Sequence, residues 1–518
     1  MEMQNENFKN NQRIVDVRQV RKFICFVLIS ALAVGALPLS ALATGPTNFT
    51  YTYNQWGSPI PSPDAYRVTA YILGQHLEFN GENVGAFREP QDLHVHGSLL
   101  YLVDTGNNRI IVLDFAEETT VVAIHSSAML DGAEITFNRP YGIFVSEWYA
   151  SYGEIWLADT MNQRVLHMDA DWNVLQVIGH PGIYGTSLLE EDSNFLPNKV
   201  VVDFSGRLFV QTRHVNRGLM EFDRDGTFAG YMGAPEVVVG PADVFWRAIA
   251  TQAQRDQRLL NVPVEYNNLY IDSEGFIFVT TAQEDIHNPV SRLNAMGDDI
   301  MIRNGWTDPI GDVWWGTGAD RSGPSELVAV TTLPHDIFVV FDRNRGRLFA
   351  YDSQGHLLYV WGGPGNREGF FTFPTALASM GYTIFALDGG QGPNLGALTR
   401  FDLTEYGELI KHAFEMYQRG QYEESYSYWN DVLRMNGNFG LAYIGIARAH
   451  LRMGNYREAM HFFRLQSDYL GYGRAFNFYR RIWMEQNFWI LAVVVGVAIV
   501  VPPVIKIVLK LRREINES

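Results

Sequence analysis

The sequence predicts a mainly β fold, with six similar small sheets, then a short α-helical segment, then one C-terminal transmembrane helix. Three observations predict it. The segments Leu100–Asp114, Ile155–Asp169 and Leu208–Asp223 repeat one pattern: an apolar strand, a polar turn, a second alternating strand and a closing acid. Residues 405–470 change to a helical period and carry a second repeat whose equivalent residues all lie 34 apart. The run Phe488–Leu509 opens with an uncharged stretch long enough to cross a hydrocarbon core.

Each of the three β segments follows an apolar stretch containing proline: FREPQDLHV, FNRPYGIFV and FLPNKVVVD. Weaker copies follow at Asn268–Thr281 and Ile337–Asp352, then in FFTFPTALASMGYTIFALD and Leu398–Asp402. The units begin near residues 87, 137, 195, 262, 327 and 370. A single small sheet cannot bury both faces, whereas sheets packed radially do so and protect their edges. Tyr51–Tyr53 and Tyr66–Leu73 are expected to close the ring with the last unit. The 13% aromatic and 19% charged content, with 47 glycines, suits strands joined by tight turns.

Asp104, Thr105, Asn107, Asn108 and Arg109, and again Asp159, Thr160, Asn162 and Arg164, give a pattern that resembles the NHL repeat, a builder of β-propellers. Thr212, Asn216 and Arg217 match it loosely, with Gln211 in place of the aspartate. Units four to six are expected to keep only the strand frame. The resemblance implies a six-bladed propeller over 49–404, in which these polar residues tie turns together within each blade.

The insertion Pro235–Leu260 is expected to hold an amphipathic helix at 241–260. A second insertion, Arg303–Pro324, gathers Trp306, Trp314 and Trp315 among glycines. Aromatic loops on a rigid scaffold suit ligand contact, and these three are the candidate contact residues.

Over 405–470, Ala413 pairs with Ala447, Gly420 with Gly454, Tyr422 with Tyr456, Ser425 with Ala459, and Trp429 with Phe463. This resembles two tetratricopeptide-like helix pairs, in which small residues let helices approach and aromatics fill the seam. Residues 471–487 are expected to form a capping or linker helix, 488–509 the membrane span and 510–518 a basic cytoplasmic tail. Pro502 and Pro503 are expected to kink the span or end it. At the other end, a basic flank precedes an apolar run that closes on Ala41-Leu42-Ala43, which reads as a signal peptide or signal anchor over 1–43. The two ends together imply a plasma-membrane protein, single-pass after signal cleavage, with its large domain extracytoplasmic.

Net charge is −17, which disfavours a general nucleic-acid binder. The one cysteine, Cys25, lies in the export segment, so the exported part has no disulfide and no thiolate metal site. No serine elbow, zinc-protease helix or nucleotide-binding loop is present. His94 and His96 alternate on one strand, but spacing supplies no third zinc ligand. A related six-bladed class, resembling gluconolactonases, holds one central divalent metal on Glu, Asn and Asp side chains. Carried over, that resemblance implies calcium, with Glu89, Asp92, Asn138, Asn198, Asn268 and Asp336 as the candidate ligands. The leading expectation is a binding or scaffolding protein that presents its propeller to an envelope glycan or protein partner, beside a transport or envelope-assembly system. The alternative is a metal-dependent sugar or lactone hydrolase or lyase. No catalytic or cofactor-binding residue is assigned.

Overall fold

The structure is a computed structural model that describes residues 50–117, 119–148, 151–181, 195–215, 217–233, 265–281, 288–312, 324–390 and 395–516. The expected export segment, the insertion helix at 241–260 and Trp314 and Trp315 lie outside the described residues. Among those described, six blades and five helices are present.

Blade 1 is a meander of Asp92–His96, Leu99–Asp104, Arg109–Asp114 and Thr120–His125. Blade 2 uses Gly142–Val145, Ile155–Asp159, Arg164–Met168 and Val174–Ile178, and blade 3 uses Pro197–Val202, Leu208–Thr212, Leu219–Phe222 and Phe228–Met232. Blade 4 shows three strands, Tyr266–Ile271, Ile277–Thr281 and Val290–Leu293. Blade 5 runs through Leu327–Leu333, Ile337–Asp342, Arg347–Tyr351 and Leu357–Gly362. Blade 6 takes Pro374–Met380, Thr383–Asp388 and Ala397–Leu403 from the end of the chain and its outermost strand, Tyr66–Leu73, from the beginning. The ring is thus closed by antiparallel pairing of distant segments. Tyr51–Tyr53 does not share in this closure. It extends blade 5 instead, pairing with the Leu357–Gly362 strand, because its Tyr51 and Tyr53 hydroxyls reach Asp312 at 3.1 and 2.7 Å beside that blade.

The repeated polar residues explain why each blade forms. Asp104 is fully buried and accepts hydrogen bonds from the Arg88 amide (2.7 Å), Asn107 Nδ2 (2.8 Å) and Arg109 Nε (2.7 Å). Asp159 does the same with the Asn138 amide, Asn162 and Arg164, each at 2.8 Å. The second strand of the blade is thereby bound to the chain that leads into its inner strand. Blades 5 and 6 keep this staple. Asp342 accepts from the Glu326 amide at 3.0 Å, and Asp388 from the Thr372 and Phe373 amides at 2.7 and 2.9 Å. The expectation that units four to six retain only the strand frame is therefore corrected for two of the three.

The residue after the staple joins neighbouring blades. Thr105 donates to the Pro140 carbonyl and Thr160 to that of Pro197, both at 2.6 Å, which links blade 1 to 2 and blade 2 to 3. In blade 3 Gln211 takes over this task and donates to the Tyr266 carbonyl at 2.7 Å, and Asn267 of blade 4 reaches Leu327 at 2.8 Å. Each such bond contributes on the order of 1 kcal/mol, and leaving a buried partner unpaired costs more.

The helices are α1 (Glu405–Gln418), α2 (Tyr422–Met435), α3 (Gly440–Met453), α4 (Tyr456–Leu465) and α5 (Tyr469–Asn516). Thr404 caps α1 by accepting from the Gly407 amide at 3.3 Å, and its own amide donates to Ala65 at 3.0 Å. A side chain at Gly407 would put its Cβ 2.3 Å from the Ala65 carbonyl, so glycine sets how closely α1 meets the ring-closing segment. Tyr359, Trp361, Phe371 and Phe401 of the propeller then share one continuous core with Tyr406, Ile410, Trp429, Phe439 and Phe463 of the helices. Burying each such side chain stabilises by about 1.5–3 kcal/mol, and the core binds propeller and helices into one body. The 34-residue equivalences hold in space. Ala413 and Ala447 are fully buried, Ser425 and Ala459 likewise, and Gly420 and Gly454 both adopt left-handed φ, 79° and 83°.

α5 continues through Pro502 and Pro503 without ending. Its non-helical residue is Asn487 (φ −114°, ψ 16°), before the prolines rather than at them. The stretch long and apolar enough to cross a membrane is Ala492–Arg513, 22 residues, or about 33 Å of helix. It lies four residues beyond the 488–509 read from the sequence.

Candidate functional site

The six inner strands stand side by side around a central channel. Because all six run in the same direction, the channel has a strand-start mouth and a strand-end mouth. α1 lies beside the strand-end turns of blades 5 and 6, where Lys411 sits 5.5 Å over the Tyr382 ring and Tyr382 meets His335 at 2.6 Å. The strand-start mouth opens on the other face of the propeller.

On the strand-end side the channel widens to a cavity of about 760 Å³, lined by His94, Phe144, Trp148, Asn268, Tyr270 and Thr332 among others. Its wall is mixed. Apolar residues come from the β pattern, and a polar seam joins the Tyr270 and Thr332 hydroxyls (3.2 Å), with Ser379 donating to the Thr332 carbonyl (2.7 Å). His94 binds the Val145 carbonyl through Nε2 at 2.9 Å, and its ring meets Phe144 edge-on at 5.0 Å. Burial holds the imidazole neutral and pushes its pKa down to about 4. The opposite mouth holds a cavity of about 430 Å³, lined by Tyr141, Asn198, Gln211, Arg213, Asn267 and Arg343 among others. Arg213 lies 4.0 Å over the Tyr141 ring, and Arg343 5.0 Å over Phe373, so both guanidinium groups are held by aromatic faces.

Between the cavities lies a buried ion pair. Lys199, from the inner strand of blade 3, lines the strand-start cavity and binds Asp92 of blade 1, which lines the other. Lys199 also donates to the Gln91 carbonyl at 3.0 Å, and Asp92 accepts the Ile143 amide of blade 2 at 3.0 Å. Burial raises the carboxyl pKa of Asp92 and lowers that of the Lys199 ammonium, while their mutual attraction opposes both shifts. The sequence reading missed Lys199. The signal was present: a lysine directly before the apolar run VVV in the inner strand PNKVVV.

Of the expected calcium ligands, Asp92 and Asn268 line the strand-end cavity and Asn198 lines the strand-start cavity. Asp92 is engaged by Lys199. Glu89 is exposed and paired with Arg139, and the Asn198 amide donates to Gln211 at 2.8 Å. The Asn138 backbone N–H donates to the Asp159 staple, and Asp336 sits in a turn with φ 57°. Among the described residues, no group of three or more His, Cys, Asp and Glu is placed to hold a metal ion. His96 leans on Tyr152 at 4.7 Å, His76 is exposed and His356 binds Asp352 at 3.1 Å. Trp306 is half-buried, 6.1 Å from the His356 ring, and packs against the core shared with the helices.

No protein-family model and no curated protein matches the sequence. Solved structures resemble the fold at low identity. Virginiamycin B lyase from Staphylococcus aureus aligns with a TM-score of 0.40 at 10% identity, over 65% of this chain and 100% of that one. A streptogramin B lyase gives 0.36 at 12%, over 61% and 94%. A protein of unknown function from Bacteroides thetaiotaomicron gives 0.39 at 11%, over 67% and 80%. These likenesses bear on the fold alone.

Proposed function

We propose that the protein is a membrane-tethered binding or scaffolding module, its propeller held outside the cytoplasm to engage an envelope glycan or a protein partner. The observation that carries this reading is the single core shared by blades 5 and 6 with α1–α4, because it ties a channel-bearing propeller firmly to the helix that can enter a membrane. In this reading the blades are divergent NHL repeats, held by the aspartate staples, and α1–α4 are two tetratricopeptide-like repeats that dock the propeller. The strand-start mouth, with its amides and aromatic-held guanidinium groups, faces away from the helices and is the surface offered to the partner. The alternative, a metal-dependent hydrolase or lyase, needs oxygen ligands converging in the channel, and Asp92 is committed to Lys199.

Photo-crosslinking from position 213 in whole cells tests the reading. A discrete adduct that disappears when the mouth is altered by Arg343→Ala supports it. Absence of any adduct, together with no retention of the detergent-solubilised protein on isolated envelope glycan, overturns it.

A further inference from the structure

The first part of α5, Tyr469–Gln486, has two sides. One packs on the preceding helix. Ala475 is fully buried, Tyr456 and Phe478 stack at 5.6 Å, and Arg457 donates to the Tyr479 hydroxyl at 2.7 Å. At about 100° per residue, Tyr469, Phe476, Arg480, Trp483 and Met484 fall in one arc of about 100° turned roughly 110° from the direction of Ala475 and Tyr479, with Leu470, Arg474 and Arg481 just beyond it. There Tyr469 is 82% exposed, with Leu470 at 69%, and Phe476, Trp483 and Met484 are exposed as well. Arg474, Arg480 and Arg481 are exposed among them, and the segment's one acid, Glu485, is paired with Arg481 at 3.1 Å.

In water such a contiguous apolar and aromatic surface is unfavourable. At a lipid headgroup layer the same composition is favourable. Aromatic rings settle at the interface, and arginines keep their stems in the apolar layer and their guanidinium groups on phosphates. The surface is also continuous with the span. Asn487 interrupts the helix, and its side-chain Nδ2 donates to the Trp483 carbonyl at 2.8 Å, at the turn where the interruption falls. Phe488 and Trp489 are exposed directly beyond it, followed by Ala492–Arg513.

We propose that Tyr469–Gln486 lies along an anionic bilayer surface on its exposed side, and that Asn487 is the joint at which the chain turns from that surface into the membrane. The helical repeats then rest close to the lipid and hold the propeller near it, instead of lifting it on a stalk. This rests on the reading of Ala492–Arg513 as a membrane span.

The test uses the full chain carrying Cys25→Ser, reconstituted in vesicles of phosphatidylcholine and phosphatidylglycerol. Nitroxides are attached to single cysteines introduced by Tyr469→Cys, Phe476→Cys or Met484→Cys. Val495→Cys and Ile499→Cys report the span, and Met296→Cys reports water. Relative accessibility to oxygen and to a water-soluble nickel complex gives depth. The proposal expects positions 469, 476 and 484 at headgroup depth, with an oxygen-to-nickel ratio several-fold above that at 296, and 495 and 499 deeper still. If 495 and 499 are deep while 469, 476 and 484 match 296, the proposal is overturned and the span stands. If 495 and 499 also match 296, the span itself is overturned.

Discussion

Lys199 and Asp92 form an ion pair that joins blade 3 to blade 1 across the channel, over the inner strand of blade 2. Neither group is held by its own blade alone, so the pair couples three blades. Removing one partner leaves the other charge buried. Asp92→Asn is expected to destabilise the fold by about 3–5 kcal/mol. The double replacement Asp92→Leu with Lys199→Met is expected to recover most of that loss, since apolar side chains of similar volume often substitute for a buried pair. Urea unfolding of the detergent-solubilised protein measures both.

The aspartate staples predict equal penalties where sequence similarity is unequal. Asp388→Ala in blade 6 leaves the Thr372 and Phe373 amides without an acceptor, as Asp104→Ala does for Arg88 in blade 1. Each unsatisfied buried group costs about 1–3 kcal/mol. Both variants are expected to lower the melting temperature by similar amounts, and a silent Asp388→Ala would show that blade 6 is held by other means.

These staples also mark what was legible in the sequence. In blades 1 and 2 the aspartate sits in a dense run of Thr, Asn and Arg, all serving one turn, and the pattern is visible by eye. In blade 5 Asn344, Arg345 and Arg347 still follow Asp342, but Arg345 binds it at 3.3 Å while Arg347 turns to Asp312 at 2.9 Å and Ser325 shares the bonding. In blade 6 Asp388 stands without that run at the end of IFALD, and Thr372 shares its bonding. The strand frame was readable because alternation and turn residues are local. The channel was not, since Asp92 and Lys199 lie 107 residues apart and meet only when the inner strands of blades 1 to 3 pack side by side. The same holds for Tyr51–Tyr53, whose place beside blade 5 is decided by Asp312. Helix packing was legible in the 34-residue equivalences Ala413 with Ala447 and Ser425 with Ala459, because all four positions meet the same demand for a small buried side chain.

His94 predicts a pH dependence. Its folded-state pKa is pushed down to about 4 from an ordinary 6.5 by burial. Its contribution to stability is present in full above pH 6.5 and is lost as the pH falls from there toward 4, to a limit of about 3 kcal/mol. His94→Gln, which keeps a donor for the Val145 carbonyl, is expected to flatten the stability profile over that window. Melting temperatures of the two proteins between pH 7 and pH 4 give the comparison.

Trp306 joins the propeller to the helices. A Cβ on Gly440 would stand 2.4 Å from the Trp306 ring, so Gly440→Val is expected to force the two apart. Trp306→Ala removes a half-buried ring and is expected to cost about 1–3 kcal/mol, less than the loss of a fully buried one. Hydrogen exchange should rise in α3 and the adjoining turn at residues 352–356 in both variants, with blades 1–3 unchanged.

The central claim is that the propeller lies outside the cytoplasm and the chain end lies inside. Single cysteines introduced by Met296→Cys, where the methionine is 84% exposed, and by Asn516→Cys, each in the Cys25→Ser background, test it most directly with a membrane-impermeant maleimide. The account predicts labelling at 296 in intact cells, and at 516 only after the membrane is opened. Labelling at 516 with protection at 296 in intact cells would contradict it.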